Sequence, residues 1–397
     1  MKYKAITDLD LAGKRVLIRV DFNVPMKVDA AGVTSVADDT RIQASIPTIR
    51  YALNAGASVV LVSHLGRPDG EANPKYSMAP VGRHLSQLLG LDVISSPEVY
   101  GEQVEAIARS LAPGEVLLLE NVRFEAGETK NAEEVSEGLA RLANVYINDA
   151  FGTAHRAHSS TTGVALLMKE RAAGFLMQKE LDTLKKVTQN PDHPFVAIVG
   201  GAKVSDKIGI IEQLLTHVDQ LLIGGAMAYT FLKAQGIEVG TSLVEDDRLD
   251  LAAELLSRSG SRIHLPNDHV CAGSFSNEAP ASTHKGSIPS GMMGLDIGLE
   301  TVATYSDLIG KAKTVIWNGP MGVFEMSSFS KGTFAIATAL VGATENGAFT
   351  VVGGGDSVAA IVESGLSDQV SHVSTGGGAM LELLEGKVLP GVEALSY

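Results

Sequence analysis

FVAIVGGAKVSDK, residues 195–207, sets five apolar side chains in succession, then two glycines, then lysines and an aspartate among small residues. A strand with one face in water alternates apolar and polar side chains, so an unbroken apolar run marks a strand covered on both faces. Seven more runs share the pattern: RVLIRVDF (15–22), SVVLVSHL (58–65), VLLLENVRF (116–124), VYINDAF (145–151), QLLIGGA (220–226), TVIWNGP (314–320) and FTVVGGG (349–355). A candidate helix follows each, and strands alternating with helices build parallel sheets with helices on both faces. The expected fold class is α/β, as two doubly wound, Rossmann-like parallel-sheet domains joined by a hinge helix.

The chain of 397 residues is too long for one ordinary hydrophobic core. The seam is expected at GFLMQKELDTLKKVTQNPDHP, residues 174–194, where Met177, Leu181, Leu184 and Thr188 mark one helical face and two prolines end the pattern. The domains are then 1–173 and 195–383; a crossover helix within one large sheet is the alternative. A net charge of −14 counts against nucleic-acid or anionic-membrane binding over a broad surface, while allowing a local basic pocket. Cys271, the single cysteine, excludes an internal disulfide framework and fits a reducing compartment. The longest uncharged apolar stretch, LLIGGAMAYTFL at 221–232, is too short for a membrane span, and MKYKAITDLDLAGKR has no signal-peptide core. A cytoplasmic protein is expected.

In parallel sheets ligands sit beyond the carboxyl ends of the strands. In the first half these ends carry polar and charged residues: Arg19, Asp21 and Asn23, then HLGRP (64–68), then Arg123, then NDAFGTAHRAHSS (148–160). Alone, each of Arg41, Arg67, Arg123 and Arg156 reads as a surface arginine paired with an acid. Together with His64 they suit a small polyanion, since each guanidinium offers a planar fork of donors, and Asp21 and Asn23 are placed to orient a hydroxyl. HRAH at 155–158 lacks the further ligands of a structural zinc site.

In the second half the strand ends carry glycine: GGAKVSDK (200–207), GGAM (224–227), NGPMGVFE (318–325), GGGDS (353–357) and STGGGA (374–379). Backbone amides approach phosphate oxygens closely where no Cβ intervenes, and a helix N-terminus adds the favourable end of its dipole. Several such turns point to a nucleotide with several phosphates, yet neither GxxxxGK[ST] nor GxGxxG occurs. Lys203 and Lys207, at i,i+4 spacing, are expected on one face just inside a helix. Asp356 reads either as a helix N-cap or as a Mg²⁺ contact on the phosphates.

RVDFNVP (19–25), SHLGRP (63–68), LLLENVRF (117–124), NDAFGTAHRAHSS, GGAKVSDKI (200–208), WNGPMGVFE (317–325), GGGDS and STGGGAMLELLEGKVLPGV (374–392) together resemble the phosphoglycerate kinase family, in order and nearly end to end. The resemblance implies one domain for the triose and one for the nucleotide, with the segment from about 384 to 397 returning to the first. It implies transfer of a phosphoryl group between 1,3-bisphosphoglycerate and Mg-ADP, giving 3-phosphoglycerate and Mg-ATP, by a monomer. It assigns the triose to Asp21, Asn23, Arg41, His64, Arg67, Arg123 and Arg156. It assigns the nucleotide to Lys207, Gly225, Asn318, Glu325, Gly353, Gly354, Gly355, Asp356 and Ser357, and the moving group to Arg41, Lys203, Lys207 and the amides of Gly376, Gly377 and Gly378. Met292, Leu299 and Met380 depart from the family's usual tryptophan, proline and small residue; none replaces a polar ligand.

The reverse reaction attacks with a carboxylate already ionised at neutral pH, so no general base is needed, and no acid/base dyad is found among these residues. Catalysis then rests on positioning and charge neutralisation, with closure about the 174–194 helix and the STGGG turn excluding water. Two alternatives remain: an NAD-dependent oxidoreductase, disfavoured by the missing dinucleotide fingerprint, and an inactive nucleotide-binding protein of the same fold.

Overall fold

Strands buried on both faces need helical layers above and below, and the computed structural model, which describes residues 2–397, has two such arrangements. The first compact unit comprises residues 1–182 with 388–397, and the second residues 183–387.

In the first unit the strands are β1 (Arg15–Val20), β2 (Met26–Val28), β3 (Thr34–Val36), β4 (Ser58–Val62), β5 (Val93–Ser95), β6 (Val116–Leu118), β7 (Val145–Asp149) and β8 (Glu170–Ala173). Six of them form one sheet in the order β5-β6-β4-β1-β7-β8, every pairing parallel, while β2 and β3 make a separate antiparallel ribbon. Central β1 places Val16, Leu17, Ile18 and Val20 wholly out of water; each such side chain contributes about 1.5–3 kcal/mol. The chain steps outward from β1 on one side through β4 and returns on the other through β7. Loops after β1, β4, β6 and β7 therefore share one edge of the sheet.

Every quoted run outlasts its strand. RVLIRVDF stops as a strand at Val20, and VLLLENVRF at Leu118, where a 3₁₀ turn over Val122–Phe124 begins after an Asn121 cap. The helix Phe175–Gln189 buries Met177, Leu181 and Leu184 on one face, and the amides of Leu176 and Met177 donate to Asp149 Oδ1 from the end of β7 at 2.9 and 3.2 Å. The last ten residues pack on the first unit: Gly391 N donates to Ala154 O at 2.8 Å, and Arg171 Nη2 to Ser396 O at 2.9 Å.

The second unit contains β9 (Phe195–Val199), β10 (Gln220–Ile223), β11 (Ile263–His264), β12 (Asp268–Ala272), β13 (Ser282–Lys285), β14 (Met293–Ile297), β15 (Thr314–Asn318), β16 (Phe349–Gly353) and β17 (His372–Val373). Its parallel sheet runs β11-β10-β9-β15-β16-β17. The strand order reverses between β9 and β15, whose ends carry Gly200 and Asn318. A three-stranded antiparallel sheet, β13-β12-β14, lies outside the expected runs.

Candidate active site

The loop after β1 holds Asp21 and Asn23. Arg41, in the first turn of the helix Thr40–Asn54, donates from Nη1 to Asp21 Oδ2 at 2.9 Å and to Asn23 O at 3.3 Å. Gly66, after β4, has a left-handed φ of +62°. Its amide donates to Asn23 Oδ1 at 2.9 Å and its carbonyl accepts from Arg123 Nη1 at 2.8 Å, joining three strand ends. Buried His64 sets Nδ1 3.2 Å from Arg19 Nη2 and 3.9 Å from Asp21 Oδ1.

Beside this cluster lies a cavity of about 480 Å³ lined by Arg67, Arg123, Arg156, Lys130 and His158, with Asp69 and Glu125 also on its wall. Arg41, Asp21, Asn23 and His64 lie outside that lining and meet it through Gly66 and Arg123. Burial, and then the guanidiniums of Arg19, Arg123 and Arg41, holds the His64 ring well below the usual histidine range. Burial and Arg123, Arg19 and Arg156 likewise push His158 down to about 4, and Arg123 is itself depressed by burial, Arg19 and Arg156. At neutral pH the imidazoles are uncharged and the guanidiniums carry the positive charge. A polyanion relieves the repulsion among them, which favours its binding over that of a neutral molecule.

In the second unit Asn318 is the hub. Its Oδ1 accepts from Lys207 Nζ at 2.6 Å, its Nδ2 donates to Gly353 O at 2.7 Å, and its carbonyl accepts from Gly200 N at 2.8 Å. Ser357 is fully buried; its hydroxyl accepts from Gly319 N at 3.0 Å and donates to Gly353 O at 2.6 Å, tying the turn after β15 to that after β16. Gly354 (φ +91°) caps the helix Gly355–Glu363, and a Cβ there would stand 2.4 Å from Asn318 Nδ2. Gly225 (φ +67°) leaves no room for a Cβ beside the Gly201 backbone. Burial lowers the Lys207 ammonium, opposed by the charge of Asp356. Glu325 is exposed in the loop after β15, Gly376 N donates to Ser374 Oγ at 3.1 Å, and Gly377 caps the short helix Gly378–Leu384.

One local expectation fails, and one of two alternatives is removed. Lys203 and Lys207 do not share a helical face: the helix begins at Ile208, Lys207 is its N-cap, and exposed Lys203 lies in the preceding loop. Buried Val204 anchors that loop, and Ser205 is tied to Glu245 through both its amide and its hydroxyl, delaying the helix by a turn. Asp356 is not an N-cap; Gly354 is, which leaves Asp356 exposed in the first turn. Among the departures, Met292 is half-buried, Leu299 is 80 % exposed, and buried Met380 rests its sulfur on the bare face of Gly353.

The sequence reading left Glu128, Ser160 and His158 without a role. Glu128 and Ser160 are buried and bonded to each other, with Ser160 Oγ donating to Glu128 Oε1 at 2.5 Å. Arg19 offered one signal, a charge inside the otherwise apolar run VLIRV (16–20).

The phosphoglycerate kinase family model matches residues 6–387. A phosphoglycerate kinase of Thermosipho africanus is 53% identical over 401 residues, covering 100% of this chain and 98% of its own length, and a cytosolic phosphoglycerate kinase of Triticum aestivum is 54% identical over 392 residues, covering 98% and 96%. The solved phosphoglycerate kinase structure from Coxiella burnetii superimposes with a TM-score of 0.89 at 42% identity, covering 99% of both chains. With sequence, fold and strand-end chemistry in agreement over almost its whole length, this chain belongs to the phosphoglycerate kinase family.

Proposed function

We propose that this phosphoglycerate kinase moves the acyl phosphate of 1,3-bisphosphoglycerate to Mg-ADP, giving 3-phosphoglycerate and Mg-ATP, and catalyses the reverse. The observation that carries the reading is the cavity beyond β4, β6 and β7, where Arg67, Arg123 and Arg156 converge beside imidazoles held neutral. Such a surface selects a compact polyanion. Arg67, Arg123 and Arg156 hold the triose phosphate and carboxylate, with Arg41, His64, Asp21 and Asn23 at the adjoining strand ends.

In the second unit the amides of Gly353, Gly354 and Gly355, with Gly225, Asn318, Glu325 and Ser357, hold ATP or ADP. Among the described residues no three histidine, cysteine or acidic side chains converge to build a metal cage. Exposed Asp356 beside the Gly354 cradle fits Mg²⁺ arriving on nucleotide phosphates, since such ions keep few protein carboxylates; when bound, the ion neutralises phosphate charge. Lys203, Lys207, Arg41 and the turn Gly376–Gly378 neutralise the transferred group. A carboxylate nucleophile needs no base, so the rate comes from positioning and electrostatics.

Residues 1–173 with the C-terminal segment serve the triose, 195–383 serve the nucleotide, and the helix between them is the hinge of closure. The protein acts in the cytoplasm as a monomer, on small molecules, with neither nucleic acid nor membrane as partner; no helix among the described residues is long and apolar enough to cross a membrane. A coupled assay with 3-phosphoglycerate and Mg-ATP tests the reaction. Tight ATP binding without turnover would overturn it in favour of a binding protein.

A further inference from the structure

Arg19 sits in the central strand of the first unit, 1 % exposed. Burying an unpaired guanidinium costs several kcal/mol, so its contacts need an account. Nη1 donates to the carbonyl of Val20, Nε donates to Ser160 Oγ at 2.9 Å, and Nη2 lies 3.2 Å from His64 Nδ1. The Ser160 hydroxyl donates in turn to Glu128 Oε1 at 2.5 Å, and Glu128 Oε2 accepts from the Ser160 amide at 2.9 Å. Glu128, Ser160 and Arg19 thus form one buried chain ending on the imidazole.

That ending has a chemical consequence. A guanidinium only donates, so the nitrogen it meets must present a lone pair. Asp21 Oδ1 would ask the opposite of the same nitrogen, a hydrogen, but stands at 3.9 Å, beyond hydrogen-bond reach. We infer that Arg19, braced by Ser160 and Glu128, is a positioning residue that fixes neutral His64 in the tautomer bearing its hydrogen on Nε2. The ring then offers an N–H donor to an anionic ligand, where the other tautomer would offer a repelling lone pair. That this ligand is the triose substrate rests on the proposed function.

The test is ¹⁵N-histidine NMR of the free enzyme at neutral pH, with the His64 signals assigned by their loss in His64→Gln. The expected spectrum has a bare Nδ1 and a protonated Nε2; a hydrogen on Nδ1 would overturn the proposal. Arg19→Met combined with Glu128→Gln, which strands no buried charge, should repopulate the Nδ1–H form. It should also raise the KM for 3-phosphoglycerate about tenfold, the size of one charge-assisted hydrogen bond, with kcat and the nucleotide KM little changed. An unchanged tautomer and KM in that folded variant would remove Arg19 from the role. Should the double variant fail to fold, Ser160→Ala takes its place, with the same shift expected and an unaltered spectrum counting against the chain. An inactive wild-type enzyme would refute the function while leaving the tautomer to be decided by the spectrum.

Discussion

Gly354→Ala is expected to destabilise the second unit by about 2–4 kcal/mol and to disturb Lys207 at a distance. Gly354 has φ +91° and ψ 142°, a combination reserved in practice for glycine; forcing another residue into it costs about 1–3 kcal/mol. The new Cβ would stand 2.4 Å from Asn318 Nδ2. Asn318 is buried and cannot retreat without losing its 2.7 Å bond to Gly353 O, worth about 1 kcal/mol. The same side chain holds the Lys207 ammonium, so kcat should fall as well. Trp317, the single tryptophan, is buried one residue before Asn318, so its fluorescence during urea unfolding reports the second unit alone. Gly365→Ala is the control: φ is +72° and no atom lies within 4 Å of its Cβ, so it bears only the left-handed backbone cost of about 1–2 kcal/mol. Equal shifts for the two variants would refute the steric step, and no shift for Gly354→Ala would refute the whole chain of reasoning.

Lys207→Ala should lower kcat about a hundredfold, the cost of removing one transition-state donor, with a smaller change in nucleotide Kd measured by titration calorimetry. Arg123→Ala should raise the KM for 3-phosphoglycerate at least about tenfold, and a histidine titration should show His158 moving up from about 4, because Arg123 is second only to burial in depressing it. Two buried groups of the second unit oppose each other in acid. Burial raises Asp296 to about 7, so its contribution is present in acid and is lost as pH rises from about 4 to about 7; His269, lowered to about 4 by burial, contributes stability above about 6.5 that is lost as pH falls to about 4. Each spans about 3–4 kcal/mol, so His269→Leu should turn a shallow profile of the Trp317 unfolding midpoint between pH 4 and 6.5 into one that falls as pH rises.

The sheets were legible because a strand buried on both faces writes itself as an apolar run, and β1, β4, β7, β9, β15 and β16 all do. The short edge strands β5, β8, β11 and β17 carry too few apolar residues to register, and in β12 to β14 polar side chains interrupt the pattern. The arginines were legible by their place after strand ends. Their shared rim followed from that placement; the link within it did not, because Gly66 joins Asn23 to Arg123 through its own backbone, which no side-chain pattern records. The lysines misled because i,i+4 spacing has meaning only inside a helix, and the Ser205–Glu245 bonds postpone that helix.

The glycines need a sharper reading than bareness for the sake of phosphate. A Cβ on Gly225 would strike the Gly201 backbone and one on Gly319 the Gly200 carbonyl, so the fold requires these two glycines whatever they bind; one on Gly353 would displace the Met380 sulfur. Gly355 is different: exposed, first in its helix, without a left-handed φ, and with nothing within 4 Å of its Cβ. The fold has no use for glycine there, and alanine should leave stability unchanged or raise it by up to about 1 kcal/mol through a less flexible unfolded chain. If phosphates approach this turn, the added methyl stands in their path and the nucleotide KM should rise while the KM for 3-phosphoglycerate stays constant. Parallel steady-state kinetics on Gly355→Ala and Gly354→Ala therefore separate ligand access from packing. An unchanged nucleotide KM in a fully folded Gly355→Ala would mean that the amides after β16 serve the architecture and that the phosphates are held elsewhere.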